Sequence, residues 1–387
     1  MADKSKVEEY YDQCRKKSYN HRLEPQTIAD IIGQLHQGKS PGVDGVTSEH
    51  LKHGLSPTLC DILAELYSTL LCRGCVPSVF CTGLIVPILK KSTLNPNLAK
   101  HYRPVTLSSI HTKILEMTLI PSHPISDTQY GFREGRGTGM ACSLLNDIIM
   151  QCKDQHSPLF LSSLDAEKCF DMVCHVSLFV KLKDVLPMYQ WLFLYRWYSN
   201  LNAMVKWNGQ FSVLFNVTRG TRQGSVLSPY LFNIFLNDLL LQLKRVYSGV
   251  IVGNTLYNSF AYADDVSIFC TNARGLQRLI DTCYEYSSRW RFRFNKEKSM
   301  CMIIGNCPLV DEPKWYMHDT ELNNVNRMEV LGTVFNSGGT CTEHVDSRIK
   351  KCRQSFYGLS PAGMIYPGAT TDVQSYLFKR ICQPTLT

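Results

Sequence analysis

Three aspartates in this sequence have the type and setting for metal-assisted chemistry. Asp264 and Asp265 lie side by side in "FAYADDVSIF" (260–269), and Asp165 ends the apolar run within "PLFLSSLDAEKCFDMV" (158–173). Successive side chains on a strand point to opposite faces, so two neighbouring aspartates inside one unbroken strand would send a charge into the core. A charge taken out of water must be paired, bound to metal or neutralised. The apolar flanks, Phe260 and Tyr262 before and Val266, Ile268 and Phe269 after, predict instead a hairpin with "ADD" at its tip. A turn lets both carboxylates reach one edge of a sheet. Taken alone, such a pair is most often a polar turn with nothing attached. If the strand ending at Asp165 neighbours the hairpin, the three carboxylates converge. Hard oxygen ligands held together suit Mg²⁺, which keeps some waters and completes its shell from substrate phosphates. Two such ions can activate an attacking hydroxyl and stabilise the leaving oxygens of an in-line phosphoryl transfer.

The elements that must position these groups are legible in outline. Residues 1–35 read as polar helix, ending in the apolar rhythm of "TIADIIGQLHQG". Residues 55–80 read as helix and "GLIVPILKK" (83–91) as a strand with lysines at its end. A glycine-rich loop, "GFREGRGTG", leads into an amphipathic helix, and a long helix opens near Ser228 and Pro229. After the Asp-Asp hairpin come a helix at 276–290, the strand "KSMCMIIG", a second hairpin at "MEVLGTVF" and a basic helical tail from 343. No internal repeat is evident, so the alternation predicts one mixed α+β body with appended pieces.

Bulk composition excludes several classes. With 44% hydrophobic and 19% charged residues over 387, the chain is globular rather than disordered and can bury a large core. No apolar run approaches the roughly 20 residues needed to cross a bilayer, so no membrane partner is expected. The start, "MADKSKVEEYYDQCRKK", is too polar for a secretory signal. The 16 cysteines follow no regular framework and are read as reduced thiols of an intracellular protein, nucleus or cytoplasm being undecided. Cys72 and Cys75 form the only tight pair, and buried thiols outweigh zinc because no second close pair stands at a usual spacing. A net charge of +8 is compatible with a polyanionic partner.

In chain order, "SPGVDGVTSEHL", "LIVPILKK", "HYRPVTLSSIHTKILE", "QYGFREGRGTGMA", "LDAEKCFD", "GTRQGSVLSPYLFN", "FAYADDVSIF", "FNKEKSM" and "VLGTVF" resemble the successive blocks of reverse transcriptases from non-LTR (LINE-type) retrotransposons. The resemblance covers roughly residues 38 to 360, and nine ordered blocks are far more specific than any single motif. It implies an α+β right-hand polymerase: an N-terminal helical segment (1–37), fingers with part of the palm (38–157), a palm with an antiparallel sheet (158–340) and a partial helical thumb (341–387). It implies an RNA template, a DNA primer or nicked target DNA, deoxyribonucleoside triphosphates, and two Mg²⁺ ions with Mn²⁺ as a substitute.

The resemblance also carries site residues. Asp165 and Asp264 match the family's palm metal ligands, with Asp265 the neighbouring carboxylate. Phe170, five residues after Asp165, falls where an aromatic ring crowds the 2′ position of the incoming sugar; ordinary core packing is the competing reading. Main-chain N–H groups from Ala166 to Cys169 open a helix and could receive triphosphate oxygens. Arg103 with Lys90 or Lys91 resembles the fingers residues that clamp the triphosphate, Arg as a bidentate fork and Lys as a point charge. Gln223 resembles the residue packed near the incoming nucleotide and template base, with Gly220 and Gly224 permitting close backbone approach. Lys298 is placed near the pyrophosphate as a proton donor, or is simply a solvated lysine.

Arg133 and Arg136 in "GFREGRGTGMA" are expected to contact template or primer; the glycine spacing only imitates a dinucleotide loop. The aromatic run "YQWLFLYRWYS" (189–199) is expected to be core rather than a base-stacking platform. The basic helix after 343 fits a thumb or a plain solvated face. Relatives continue beyond "ICQPTLT", so a clipped thumb is expected. Two functions follow: an RNA-directed DNA polymerase extending a primer 3′-OH, or an element remnant or co-opted copy that keeps the fold, with RNA binding, and makes no DNA. A nucleotide cyclase would share the carboxylates without needing the flanking nucleic-acid blocks.

Overall fold

The computed structural model describes residues 2–121, 123–167, 169–307, 312–360 and 370–386. It is a mixed α+β protein whose chain divides into two compact units. Unit 1 takes residues 1–134, 166–242 and 284–294, and unit 2 takes 135–165, 243–283 and 295–387. In chain order the strands are β1 (Thr82–Leu89), β2 (Tyr102–Leu107), β3 (Leu159–Asp165), β4 (Asn202–Trp207), β5 (Gln210–Phe211), β6 (Phe215–Asn216), β7 (Val250–Val252), β8 (Thr255–Tyr257), β9 (Ser259–Tyr262), β10 (Asp265–Cys270) and β11 (Met300–Ile304). They are followed by β12 (Tyr316–Met317), β13 (Thr320–Glu321), β14 (Asn323–Asn324), β15 (Arg327–Val330) and β16 (Thr333–Asn336).

Unit 1 is largely helical around a sheet ordered β2-β1-β4-β5, with β6 also on β4. Its helices start and stop where local chemistry says they should. The helix Pro57–Arg73 opens with Pro57 in the first turn and Ser56 accepting a hydrogen bond from the Leu59 N–H, and it closes at Gly74 with φ +60°. The aromatic helix Met188–Ser199 is core, as its composition implied. Trp191, Phe193 and Trp197 are almost fully buried. Both indoles are satisfied, Trp191 donating to Phe179 O (3.0 Å) and Trp197 to Phe80 O (3.0 Å).

Unit 2 is built on a sheet ordered β14-β11-β3-β10-β9, antiparallel except for the β11/β14 pair. β3 and β10 are interior strands buried on both faces: Leu159, Leu161, Leu164, Val266, Ile268 and Phe269 are all at 0% exposure. That explains why both read as nearly continuous apolar runs rather than alternating ones. The buried Ser162 of β3 keeps its hydroxyl paired, donating to Met300 O at 3.1 Å. The hairpin of β15 and β16 and the helix Thr342–Gly358 complete what the sequence outlined at the C-terminal end.

All cysteines whose state is described are free thiols. Cys72 uses its sulfur on the main chain of His21, accepting from the N–H at 3.1 Å and donating to the carbonyl at 3.2 Å. Among the described residues no helix is long and apolar enough to cross a membrane.

Candidate active site

In unit 2 the three aspartates are assembled by strand register. β3 pairs antiparallel with β10 so that Asp165 stands directly opposite Asp265, and β10 pairs with β9 so that Asp265 faces Tyr262. That register leaves Ala263 and Asp264 as the two-residue connection between β9 and β10. The charge problem of adjacent aspartates is solved at this point, with Asp264 in the turn and Asp265 as the first strand residue. Ala263 takes φ +56°, a conformation that costs a non-glycine residue about 1 kcal/mol or more and is commonly retained at functional sites.

The surroundings of this sheet end are electrostatically asymmetric. Asp265 is half-buried, and burial, then Asp264, then Asp165, push its carboxyl up from the ordinary 3.8 to about 6, with Lys298 opposing. Lys298 Nζ lies 3.3 Å from Asp165 Oδ2 and its side chain is 67% exposed. The sequence left Lys298 as either a pyrophosphate neighbour or a solvated lysine; it is solvent-exposed and also ion-paired to the first aspartate. The Asp165 main chain is held on both sides of its carboxylate, its N–H by Ser299 Oγ (3.4 Å) and its carbonyl by the Asn295 N–H (2.7 Å). Ser299 and Asn295 carried no sequence signal beyond lying in the "FNKEKS" block.

Unit 1 assembles a second set of the expected residues. The turn at 220–224 is stitched to two neighbours. On one side the Thr106 N–H of β2 donates to Gln223 O (2.7 Å). On the other, Thr221 N–H donates to Phe170 O (2.7 Å) and Gly220 N–H to Val173 O (2.8 Å). A β-carbon on Gly224, which has φ +108°, would lie 2.8 Å from Thr106 O; one on Gly220, with φ +83°, would lie 2.7 Å from Asp171 O. The close approach expected of these glycines is therefore to the protein's own backbone. Gln223 Nε2 donates to Asp171 Oδ1 at 2.8 Å, which fixes the amide. Asp171 was not singled out from sequence, because nothing in "CFDM" reveals a partner 52 residues away. The Phe170 ring stacks on Phe232 (4.7 Å between centroids) and meets Phe132 edge-on (6.0 Å), and the residue stays half-buried.

A second buried device supports the same turn. Glu116 accepts from Ser225 Oγ and the Val226 N–H, both at 2.8 Å, and burial pushes its carboxyl up. Arg222 donates to Phe80 O at 2.9 Å and to Cys81 O, so the "TRQGS" block is anchored through side chains as well as backbone.

Three expectations change in detail. The Glu167 N–H, within the stretch proposed to receive triphosphate oxygens, donates to Arg293 O at 2.9 Å, and Ala166 forms a bridge with Phe294. The helix there runs only Cys169–Met172, and Lys168 lies outside the described residues. Arg133 turns inward onto its own loop: Nη1 donates to Ser126 O (2.8 Å) and Gln129 O (3.3 Å), and Nη2 lies 3.8 Å from Asp127. Its guanidinium is thus engaged with its own loop. Of the two lysines after β1, Lys90 is tied back, its Nζ donating to Lys100 O at 2.9 Å. Lys91 and Arg103 are exposed, Arg103 standing opposite Ile88 in the β1/β2 register. Arg136 is half-buried in the turn before the helix Thr138–Asp154.

The donor set at the sheet end consists of carboxylate oxygens. Three carboxylates present hard oxygens, and Asp265 titrates high partly because two like charges face it, a condition that a bound cation relieves. Among the described residues no group of three or more His, Cys, Asp or Glu stands close enough to hold a metal ion. The donor type, carboxylate oxygen without thiolate or imidazole, suits Mg²⁺ rather than a structural zinc.

Comparison with known proteins identifies the family. The family model for reverse transcriptase (RNA-dependent DNA polymerase) matches residues 88–335, well over half of the chain. The chain is 26% identical over 345 residues to the probable RNA-directed DNA polymerase from transposon BS of Drosophila melanogaster, covering 85% of this chain and 37% of that protein. It is 22% identical over 384 residues to the RNA-directed DNA polymerase from mobile element jockey of the same species, covering 93% and 40%. It is 28% identical over 302 residues to the transposon TX1 uncharacterized 149 kDa protein of Xenopus laevis, covering 74% and 23%. The chain thus spans well under half the length of each of these relatives. It belongs to the reverse transcriptase (RNA-dependent DNA polymerase) family, among its non-LTR retrotransposon members and with the right-hand polymerase fold of that family.

Proposed function

We propose that this chain catalyses RNA-directed DNA synthesis, extending a primer 3′-OH with deoxyribonucleotides along an RNA template. The observation that carries the reading is the register that sets Asp165 opposite Asp265, with Asp264 in the adjoining turn. Asp165, Asp264 and Asp265 are the residues that would hold Mg²⁺, or Mn²⁺ in its place. When bound, the ions supply activation of the primer hydroxyl and stabilisation of charge on the leaving phosphate oxygens.

The chain's own residues do the rest. With a carboxyl at about 6, Asp265 is mostly ionised at neutral pH and available as a ligand. Lys298 keeps a positive charge within 3.3 Å of Asp165 Oδ2, steadies that carboxylate and carries a proton next to where pyrophosphate would leave. Arg103 and Lys91 offer exposed cations for triphosphate oxygens, with Lys90 the less available lysine. Phe170, braced by Phe232 and Phe132, presents a rigid ring suited to excluding a 2′-hydroxyl. Gln223, oriented by Asp171, and Gly224 set the backbone of the turn that would face the nucleotide and template base. Arg136 keeps its proposed role as a nucleic-acid contact on the family resemblance alone, and Arg133, bonded to its own loop, is not proposed for it.

The test is primer extension by the 387-residue chain on an RNA template with Mg²⁺ and deoxyribonucleotides. Product is expected from the wild type, and a fall of about 10³-fold or more in Asp264→Ala, the scale of losing a metal clamp. Absence of product from the wild type, or undiminished product from the variant, overturns the polymerase reading.

A further inference from the structure

We propose that the helical part of unit 1 holds a phosphate site of its own, built for a compact polyphosphate anion. The site is a cleft of about 690 Å³ lined by Arg15, Lys17, Arg22, Arg73 and Arg196, with Glu65 as the only carboxylate in its wall. Three chain segments converge there: the end of the helix Ala2–Arg15 with residues 16–22, the helix Pro57–Arg73 and the helix Met188–Ser199.

The walls of the cleft are pinned by bonds that leave Arg22 and Arg73 available, while Arg15 pairs with Asp12 (2.6 Å) and Lys17 Nζ donates to Met188 Sδ (3.3 Å). Ser68 Oγ accepts from the Leu23 N–H (2.8 Å) and Cys72 bonds the His21 main chain, which pins the 16–22 segment to the helix Pro57–Arg73. The His21 ring stacks on Tyr189 (4.5 Å, 25°), which pins the same segment to the start of the helix Met188–Ser199. Arg196 is positioned by donating to Arg73 O and Gly74 O, both at 3.1 Å. Arg22 and Arg73 are exposed, and their guanidinium groups have no hydrogen-bond partner among the described residues. With Arg15 paired to Asp12, Lys17, Arg22, Arg73 and Arg196 still face only Glu65 in that wall, and a multiply charged anion relieves their mutual repulsion. Guanidinium forks match phosphate oxygens bidentately, and four of the five cations are arginines.

The dimensions favour a compact ligand over a nucleic-acid strand. A volume of 690 Å³ is a space about 9 Å across, which meets only two or three phosphates of a strand whose charges are spaced by about 3.4 Å or more. A strand would also want a base-stacking platform. Both rings in the wall are already engaged: His21 with Tyr189, and Tyr19 through a hydroxyl donated to Cys14 O at 2.8 Å. This inference does not rest on the polymerase reading.

The experiment is calorimetric titration of the full chain with inositol hexakisphosphate and with inorganic tripolyphosphate. One-to-one binding is expected for the hexakisphosphate, weakened about tenfold or more in an Arg22→Gln/Arg73→Gln double variant, while tripolyphosphate, which can also reach the proposed triphosphate site, loses only its cleft component in that variant. Thermal melting of the double variant checks that it folds, which its two exposed side chains predict. Failure of both anions to bind, or equal binding by the double variant, overturns the proposal. So does a short single-stranded RNA that displaces the hexakisphosphate at equal phosphate concentration and loses affinity in the same double variant, since that result reassigns the cleft to nucleic acid.

Discussion

Replacing Asp265 by Asn should stabilise the metal-free protein at neutral and alkaline pH, in the same change that damages the proposed active site. The Asp265 carboxyl rises from 3.8 to about 6 in the folded state, chiefly through burial and then through Asp264 and Asp165. The folded chain therefore holds this proton more tightly than the unfolded chain does. Below about pH 4 both states are protonated and the group costs nothing; as pH climbs through 6 the folded state must ionise and stability is lost. A rise of that size corresponds to about 3 kcal/mol as an upper figure. The stability difference between Asp265→Asn and wild type should thus grow from near zero at about pH 4 to as much as about 3 kcal/mol at pH 8. Urea midpoints for both proteins in EDTA, taken at steps across that range, measure it directly. Adding Mg²⁺ should then stabilise the wild type more than the variant, since only the wild type keeps the full donor set. A variant no more stable than wild type at pH 8, or a difference that does not change with pH, refutes the electrostatic account of this sheet end.

Three further outcomes are expected. Gly224→Ala forces a side chain into φ +108° with its β-carbon 2.8 Å from Thr106 O, and should cost about 1–3 kcal/mol in thermal or urea unfolding; an unchanged melting point would show that the turn relaxes freely. Lys181, 4% exposed and bonded to Asp238 at 2.7 Å, is pushed down from 10.5 to about 8 by burial, so wild-type stability should rise by as much as about 3 kcal/mol as pH climbs from 8 past 10; in Lys181→Met that rise should vanish, and a flat wild-type profile refutes burial as the cause. Arg133→Gln removes donors to Ser126 O and Gln129 O and should lower stability by about 1–2 kcal/mol while leaving RNA affinity in filter binding untouched; a large loss of affinity restores Arg133 as a nucleic-acid contact.

Local features were legible wherever neighbouring residues decide the outcome. The hairpin around Asp264 followed from apolar flanks on both sides of a polar pair, and β9 and β10 form there. The helix near Ser228 and Pro229 begins at Ser228, and the aromatic run at 189–199 is buried, because dense aromatics on an apolar helix have nowhere else to go. The end of β3 at Asp165 was visible as an apolar run meeting a charge. The helix expected straight after it was not as expected, since the Glu167 N–H is taken by Arg293 O and the helix shrinks to Cys169–Met172.

Sequence by itself determined the residue types at the site, the elements that carry them and, through nine ordered blocks, the family. Tertiary structure decided which of those residues meet. The Asp165 to Asp265 register spans 100 positions of chain, and the Gln223 to Asp171 bond spans 52. Such pairings depend on how strands and turns are stacked, and no local propensity encodes them. The same holds for which cations are spent. Nothing in "FREGR" marks the partners of Arg133; the folded loop at 126–129 provides the carbonyls that turn it inward, because an unbonded carbonyl near the interior must find a donor. Like charges brought together by pairing also raise the Asp265 carboxyl, a property that belongs to the assembled sheet end and to none of its residues alone.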